Sequence, residues 1–246
     1  MKKSDVIFGI HPIMEAINSE KEIDKILVQK DMRNPAIFAL VKAANEHKIP
    51  LQYVPVEKIN RITTKNHQGV LCFMSSVEYQ DIENVLPLVF EKGEVPLVII
   101  LDRITDVRNF GAIARTVECA GVHALIIPLK NAAQINADAV KTSSGAIHNI
   151  NICRVSSLLD TVKLLKSSGL QIIACTEKSE GTIYDINFRI PTAIILGSEE
   201  DGISNELLAK ADYLAKIPIL GEIESLNASV AAGVVLYEAV RQRLGE

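Results

Sequence analysis

Hydrophobic and polar positions follow two different patterns along this chain. Over residues 1–76, apolar residues at helical spacing alternate with short β-branched stretches. The predicted helices are Pro12–Asn18 and Pro35–His47, and the predicted strands are Lys25–Val28, Gln52–Val54 and Val70–Met74. This alternation predicts a small α/β domain.

From Pro96 onward the strands become continuous aliphatic runs, which are typical of strands buried on both faces of a sheet. These runs are Val98–Leu101, Ala124–Ile127, Ile172–Cys175 and Ala193–Leu196. Helical patterns occupy Gly111–Ala120, Asn136–Thr142, Leu158–Ser168, Asn205–Ala211 and Ala228–Leu244. Strands that alternate with helices predict a mainly parallel sheet with helices on both faces.

The stretch between these regions, residues 77–95, is polar and acidic with a short amphipathic segment in its middle. Such a composition favours an interdomain linker. The predicted organisation is therefore a first domain over 1–76, a linker over 77–95 and a second domain over 96–246.

The charge distribution changes what the net charge of −4 implies for a nucleic-acid partner. Met1–Ser76 carries eleven Lys or Arg against eight acids, and Arg103–Arg154 carries six against three. The acidic excess lies in Val77–Val95 and Glu199–Glu224. An RNA path over the first two regions is therefore electrostatically permitted.

The cysteines and histidines show no metal-ligand spacing, which predicts no structural metal. The four cysteines each lie in or beside an apolar run and are interpreted as small buried hydrophobes in a reducing compartment: Cys72, Cys119, Cys153 and Cys175. The chain has no apolar run long enough to span a bilayer and no signal core at its start, so we expect a soluble cytoplasmic protein.

Three loops in the second region follow apolar strands or lie near the carboxyl end of the chain. They read LDRITDVRNFGAIARTVECAG, ILGSEEDGIS and IPILGEIESLNASVAAG. In open α/β sheets ligands bind at the carboxyl ends of strands, so these loops are the candidates for a site. Taken singly, the glycines of the second loop could form a tight turn, and Asn109 could cap a helix. Arg115 is less easily explained, because a guanidinium in an apolar helical run suits a phosphate or carboxylate.

Together, N-F-G-x-x-x-R, L-G-S-E-x-x-G and I-P-x-x-G-x-x-x-S-L-N-x-S-V-A resemble the three motifs of SpoU-type ribose methyltransferases. The first region, with IFGIHPIMEAI, DKILVQK and NHQGV, is similar to the ribosomal-protein-like RNA-binding extension of a subgroup that methylates a guanosine of 23S ribosomal RNA. Two positions depart from the pattern: Val107 stands where the first motif usually has Pro, and Glu200 where the second usually has Gly.

The resemblance implies a deep trefoil knot in the second domain, with S-adenosyl-L-methionine held by the knot backbone. It also implies roles for individual residues. Those matching catalytic or RNA-facing positions are Asn109, Arg115, Glu199, Ser225 and Asn227. Those matching cofactor-binding positions are Gly197, Ile217 and Leu226.

The expected reaction transfers the methyl group to a ribose 2′-hydroxyl of RNA and does not extend to DNA, which lacks that hydroxyl. A guanidinium is a poor base, so the hypothesis is a composite in which Arg115 clamps a phosphate and Glu199 orients Arg115 or accepts the proton. Active-site arginines on separate subunits fit a homodimer, with the apolar stripe of Ala228–Leu244 as an interface. The alternatives are the same chemistry on transfer RNA, and a non-catalytic protein that assembles on ribosomal RNA.

Overall fold

The computed structural model describes residues 6–32, 34–223 and 225–245. These residues form two compact units. The first holds the described residues up to Glu78 together with 134–137, and the second holds 79–133 and the described residues from Asp138 onward.

The first unit contains a four-stranded mixed sheet. Its elements are β1 Val6–Phe8, α1 Ile10–Asn18, β2 Ile23–Gln29, α2 Pro35–Glu46, β3 Leu51–Val54, α3 Val56–Asn60 and β4 Val70–Met74. The strand order is β1-β4-β2-β3, with β4 antiparallel to β1 and β2, and β2 parallel to β3. The predicted helices and strands of this region are confirmed to within two residues, whereas β1 and α3 were not predicted.

The two faces of this sheet are covered unequally. On one face, α1 and α2 bury a core that includes Ile13, Leu40 and Val70. On the other face, among the described helices only the short helix α3 contributes to a small core, where Ile59 packs with the buried residues Leu27, Val54 and Leu71. A large part of this second face therefore carries partly exposed side chains.

The second unit contains a six-stranded sheet in which every neighbouring pair is parallel. Its elements are α4 Ile82–Glu91, β5 Leu97–Asp102, α5 Val107–Cys119, β6 Ala124–Pro128, α6 Ala137–Thr142, β7 Ile152–Val155, α7 Leu158–Ser167, β8 Gln171–Cys175, β9 Thr192–Gly197, α8 Asn205–Leu208, β10 Tyr213–Ala215 and α9 Ala228–Leu244. The strand order is β10-β8-β9-β5-β6-β7. The predicted mainly parallel sheet is confirmed, and β7 and β10 are additions at its two edges.

Helices cover both faces of this sheet. Residues of α4, α7 and α8 share one core with alternate strand residues such as Ile100 and Ile195. The intervening residues, including Ile99 and Ile194, are equally buried and point to the opposite face because side chains alternate along a strand. There α5 and α9 contact each other, and α9 contacts β9. The knot implied by the resemblance stays a prediction.

Residues 77–95 differ from the predicted linker. Most of this stretch is helix α4, begun by Asp81, whose side chain accepts a hydrogen bond from the backbone N–H of Glu83. Its apolar face, including Leu86 and Val89, is buried in the core of the second unit. All five acidic residues that suggested a linker are exposed: Glu83 and Glu91 lie on the solvent side of this amphipathic helix, and Glu78, Asp81 and Glu94 lie before or after it.

The expectation of four buried cysteines is only partly met. Cys72 and Cys153 are buried and Cys175 is half-buried, but Cys119, in the last turn of α5, is exposed. Within the described ranges, no helix has the length and apolar character needed to cross a membrane.

Candidate functional site at the carboxyl edge of the parallel sheet

A cavity of about 410 Å³ opens where the loops after β8, β9 and β10 meet. Its wall consists of residues from these loops and from the start of α9: Cys175, Thr176, Glu177, Lys178, Leu196, Gly197, Ser198, Glu199, Glu200, Asp201, Gly202, Ile217, Ile219, Ser225, Leu226, Ala228 and Ala231. The volume lies within the range of pockets that hold small ligands, and the position is where parallel sheets bind them.

A second cavity, of about 390 Å³, lies on the other side of the loop after β9. Its wall includes Arg103, Asp106, Asn109 and Asn131, which come from the loops after β5 and β6 and from α5. Residues 198–201 and Ala228 line both cavities. The loop of residues 198–201, which we call the partition, therefore separates two cavities of similar volume.

The carboxylate of Glu199 connects three segments within this partition. Its Oε1 accepts hydrogen bonds from Asn109 Nδ2 at 2.9 Å and Asn227 Nδ2 at 2.6 Å. The backbone N–H of Ala228 donates to the same oxygen at 3.1 Å, and Asn227 Nδ2 also donates to Asn109 Oδ1 at 2.9 Å. The described residues supply no donor to Oε2, so that oxygen is available to a bound molecule.

Local helix chemistry places these two asparagines. Asp106 caps α5 by accepting from the backbone N–H of Asn109 at 2.7 Å, so Asn109 lies in the first turn and not before it. Asn227 caps α9, its side chain accepting from the backbone N–H of Ser229 at 3.0 Å. Two helix starts thus point their amide side chains at one carboxylate.

The turn from β9 into the partition requires glycine. A Cβ on Gly197 would lie 2.1 Å from the carbonyl carbon of Gly202. Gly202 itself has φ of +64°, in the left-handed region that favours glycine. The two glycines let the loop fold back on the strand end, and this close approach forms the cavity wall.

Arg103 clamps the far end of the partition. Its Nη1 donates to Asp201 Oδ2 at 3.1 Å, its Nη2 to the carbonyl oxygen of Gly202 at 3.0 Å, and its Nε to Asp102 Oδ1 at 3.3 Å. The buried Asp102 also accepts from the backbone N–H of Ser204 at 2.8 Å. The sequence analysis did not predict these contacts, because no sequence pattern pairs Arg103 with an aspartate 98 residues away.

The lining of the first cavity suits a particular kind of ligand. Four carboxylates, Glu177, Glu199, Glu200 and Asp201, line it together with one cation, Lys178. Three partly exposed apolar side chains, Ile217, Ile219 and Leu226, provide a surface for a flat ring. This combination disfavours a polyphosphate and favours a ligand that carries positive charge beside an apolar ring system.

The structure brings together seven of the eight residues proposed for the site. Gly197, Glu199, Ser225, Leu226 and Ile217 line the first cavity, and Asn109 and Asn227 join Glu199 in the hydrogen-bond network. The exception is Arg115. It lies about 9 Å along α5 from Asn109 and about 120° around the helix axis, since each residue rises ~1.5 Å and turns ~100°.

Arg115 is exposed and lines neither cavity in its own chain. It makes no hydrogen bond or ion pair with any residue that the structure describes. The role of Arg115 in binding a phosphate stays a prediction, because within one chain its side chain reaches neither cavity.

The second unit is a parallel α/β unit with two cavities at the carboxyl edge of its sheet, and the loop between them needs glycine at its turn. Cofactor-dependent enzymes with open α/β sheets bind their ligands at this edge, and the unit is of this class. Residues 96–237 match the SpoU rRNA Methylase family, and residues 6–80 match the family described as RNA 2′-O ribose methyltransferase substrate binding. The chain belongs to the SpoU methylase family of RNA methyltransferases.

Relatives match over nearly the whole chain. YacO of Bacillus subtilis, named as a TrmH family tRNA/rRNA methyltransferase, is 31% identical over 98% of this chain and 97% of its own. A Staphylococcus saprophyticus protein with the same family name is 37% identical over 97% of this chain and 96% of its own.

Solved structures of SpoU methyltransferases have the same fold as this chain. The SpoU methyltransferase AviRb of Streptomyces viridochromogenes, crystallised with AdoMet, superposes with a TM-score of 0.62 at 25% identity and covers 98% of this chain and 91% of its own. The TrmH/SpoU tRNA modifying enzyme of A. aeolicus gives 0.57 at 31% identity over 66% of this chain and 84% of its own.

Proposed function

We propose that this protein transfers a methyl group from S-adenosylmethionine to a ribose 2′-hydroxyl of RNA, with a guanosine of 23S ribosomal RNA as the target. One observation carries the proposal: the Glu199, Asn109 and Asn227 network lies in the partition between a cavity suited to a cationic, ring-bearing ligand and a second cavity beside it. The same chemistry on transfer RNA is the alternative, and the relatives' shared tRNA/rRNA name supports both.

S-adenosylmethionine would supply a methyl group made electrophilic by its sulfonium. In the first cavity, Ile217 and Leu226 would pack against the adenine, and the turn at Gly197 would present backbone groups to it. The nearby carboxylates would favour the sulfonium charge through their own negative charge. The residues fit the cofactor on this basis.

The second cavity would hold the target ribose. Asn109 and Asn227 would fix the sugar through hydrogen bonds, and Ser225 would reach it from the wall of the first cavity. Glu199 would keep both asparagine side chains in place through Oε1. The unoccupied Oε2 would accept the proton as the 2′-oxygen bonds to the methyl carbon and the carbon–sulfur bond breaks. A positioned acceptor of this kind is worth about 10²–10⁴ in rate.

Arg115 would act on the site of a second copy of the chain. It is exposed on α5, and α9, which contacts α5, presents Val230 at 50%, Tyr237 at 51% and Leu244 at 73% exposure. A homodimer through this helix pair would cover those apolar side chains and carry the partner's Arg115 to the phosphate beside the target ribose.

Mixing two inactive variants tests the site and the dimer together. Glu199→Gln and Arg115→Ala should each lower the methyl-transfer rate by about a hundredfold or more, with cofactor affinity by calorimetry changed only a few-fold. Mixed after unfolding and refolding, they should regain about a quarter of wild-type activity, because one site of each mixed dimer has both residues intact. Near-normal turnover of either single variant would overturn the assignment, and failure of the mixture to recover would overturn the shared site.

The RNA target is tested in cells. Mapping 2′-O-methyl positions in RNA from cells with and without the gene should show one ribosomal guanosine that loses its mark. Loss of a mark in transfer RNA would establish the alternative. A chain that binds RNA but gives no heat with S-adenosylmethionine would be the non-catalytic binder.

A further inference from the structure

Three lysines and two phenylalanines lie together on the less covered face of the first unit's sheet. We name this set the lysine face, and it consists of Lys25, Lys58, Lys65, Phe8 and Phe73. We propose that the lysine face binds the phosphate backbone of the substrate RNA. This inference rests on the proposed function and adds which surface of the first unit the RNA contacts.

The strand register puts these residues on one face. Lys25 of β2 is paired with Phe73 of β4, and Phe8 of β1 is paired with Leu71. Leu71 and Phe73 are two residues apart and so point the same way. Leu71 belongs to the small core under α3, against which Phe73 also packs, so this is the face opposite α1 and α2.

Each phenylalanine holds one lysine ammonium over its ring. Lys25 Nζ lies 5.4 Å from the centre of the Phe73 ring, and Lys65 Nζ lies 5.5 Å from the centre of the Phe8 ring. Both distances are within the range of cation–π attraction. A lysine side chain held in this way has lost part of its rotamer freedom before a ligand arrives, so ordering it on binding costs less.

The charges on this face are not neutralised locally. Within the described part of the chain, none of these lysines has a carboxylate oxygen within 4.0 Å of its ammonium group, and none of the three ammonium groups makes a hydrogen bond. Burial lowers the pKa of Lys25, the attraction of Asp24 partly opposes this, and repulsion from Lys58 adds a smaller lowering. An anion bound between the lysines would relieve that repulsion.

The opposite side of the same sheet provides the contrast. Lys42 on α2 is highly exposed, and its Nζ lies 3.8 Å from Glu46 Oε1 one turn away. It has no aromatic ring beneath it among the described contacts. An array of fixed, unpaired cations fits a chain of phosphates better than a single anion does.

The salt dependence of RNA binding tests this proposal. Each phosphate contact steepens the slope of log affinity against log salt by about 0.7 for single strands and about 0.9 for duplexes. With protein-free 23S ribosomal RNA in increasing KCl, Lys25→Gln, Lys58→Gln and Lys65→Gln should each flatten the slope by about that amount. The triple variant should flatten the slope by the amount expected for the loss of roughly two to three phosphate contacts. Lys42→Gln is the matched control and should leave the slope unchanged.

A second variant tests the role of the rings. Phe73→Leu keeps every charge but removes the surface under Lys25, so it should weaken RNA binding several-fold without flattening the slope as much as Lys25→Gln does. Circular dichroism of each variant shows whether the first unit stays folded.

The outcomes separate this inference from the proposed function. A triple variant with the slope of Lys42→Gln would overturn the lysine face while leaving the methyltransferase intact. The expected triple variant keeps wild-type affinity for S-adenosylmethionine, because none of the three lysines lines the first cavity. If anionic vesicles bind to the wild type and not to the triple variant, and the RNA slope is the same in both, the face serves a membrane and the proposal is wrong. A wild-type chain that methylates no RNA would instead refute the proposed function.

Discussion

The two sheets of this protein differ in which part of each meets solvent. The mixed sheet of the first unit leaves much of one face open, and the three lysines of the lysine face lie on β2, on α3 and in the loop before β4. The parallel sheet of the second unit is buried on both faces, and its candidate ligand site lies in the loops at its carboxyl edge. An open sheet face can make many weak contacts along a large ligand. A sheet edge must instead form its site from closely packed loops.

The largest expected effect tests how tightly the edge is fitted. Gly197→Ala places a Cβ 2.1 Å from the carbonyl carbon of Gly202 and 2.3 Å from the backbone nitrogen of Ile203. The loop must move, so we expect cofactor affinity to fall about a hundredfold, or ~2.7 kcal/mol, and overpacking to lower the free energy of unfolding by about 1–3 kcal/mol. Calorimetric titration and denaturant unfolding measure the two effects.

Gly221→Ala is the matched control for that prediction. No atom lies within 4 Å of the position that its Cβ would take, so both affinity and stability should stay close to wild type. If Gly197→Ala behaved like Gly221→Ala, the turn after β9 would tolerate a Cβ as well as open space does, and the close fit of the loops at this edge would be refuted.

The first unit was easier to predict from sequence than the site was. Alternating patterns are local properties, and strands such as Val70–Met74 follow directly from them. The amphipathic segment of 77–95 was misread because its acidic residues were weighed above Leu86 and its neighbours, which become buried only when a sheet is there to receive them. Burial of a helix face is a tertiary property that composition does not report.

The edge site was predictable only through its motifs. They identified Glu199, Asn109 and Asn227, whose separations of 90 and 28 residues are closed by folding. The partner of Arg103 could not be inferred, because an arginine and an aspartate 98 residues apart are two charges among many until folding brings them together. Arg115 shows the reverse, since the motif identified the position but the residue lines neither cavity of its own chain.

An intermediate effect is expected from loosening the clamp on the partition. Arg103→Met removes its hydrogen bonds to Asp201, Gly202 and the buried Asp102. Hydrogen bonds to charged groups are worth about 1.5–3 kcal/mol, but Arg103 and Asp201 are partly solvated, so the net loss is smaller. We expect the KM for S-adenosylmethionine to rise about tenfold, or ~1.4 kcal/mol, with kcat changed much less.

Three further variants separate positioning from general destabilisation. Asp201→Asn should raise the KM only a few-fold, because the ion pair it removes is largely exposed. Arg103→Lys should restore part of the loss, and Arg108→Met, at an exposed arginine without a hydrogen bond among the described residues, should have no effect on KM. Equal KM values for Arg103→Met and Arg108→Met would show that the partition keeps its conformation without the hydrogen bonds of Arg103.

The smallest expected effect compares the two cores directly through their cysteines. Burial raises the pKa of Cys72 in the first unit and of Cys153 in the second to about 12. At pH 8 both are therefore almost wholly protonated and unreactive, since the thiolate is the nucleophile. Iodoacetamide should modify the exposed Cys119 first, as followed by mass spectrometry of the intact chain, and Cys119→Ser should abolish that fast phase.

The order of the slow phases then ranks the two units. Reaction at a buried thiol requires local opening, and a smaller unit with one open face buries less apolar surface against that opening. Cys72 should therefore be modified before Cys153, although burial raises both thiol pKa values to the same extent. The reverse order would mean that the first unit opens locally less often than the second around its buried cysteine. The open face of the mixed sheet would then cost the first unit no local stability.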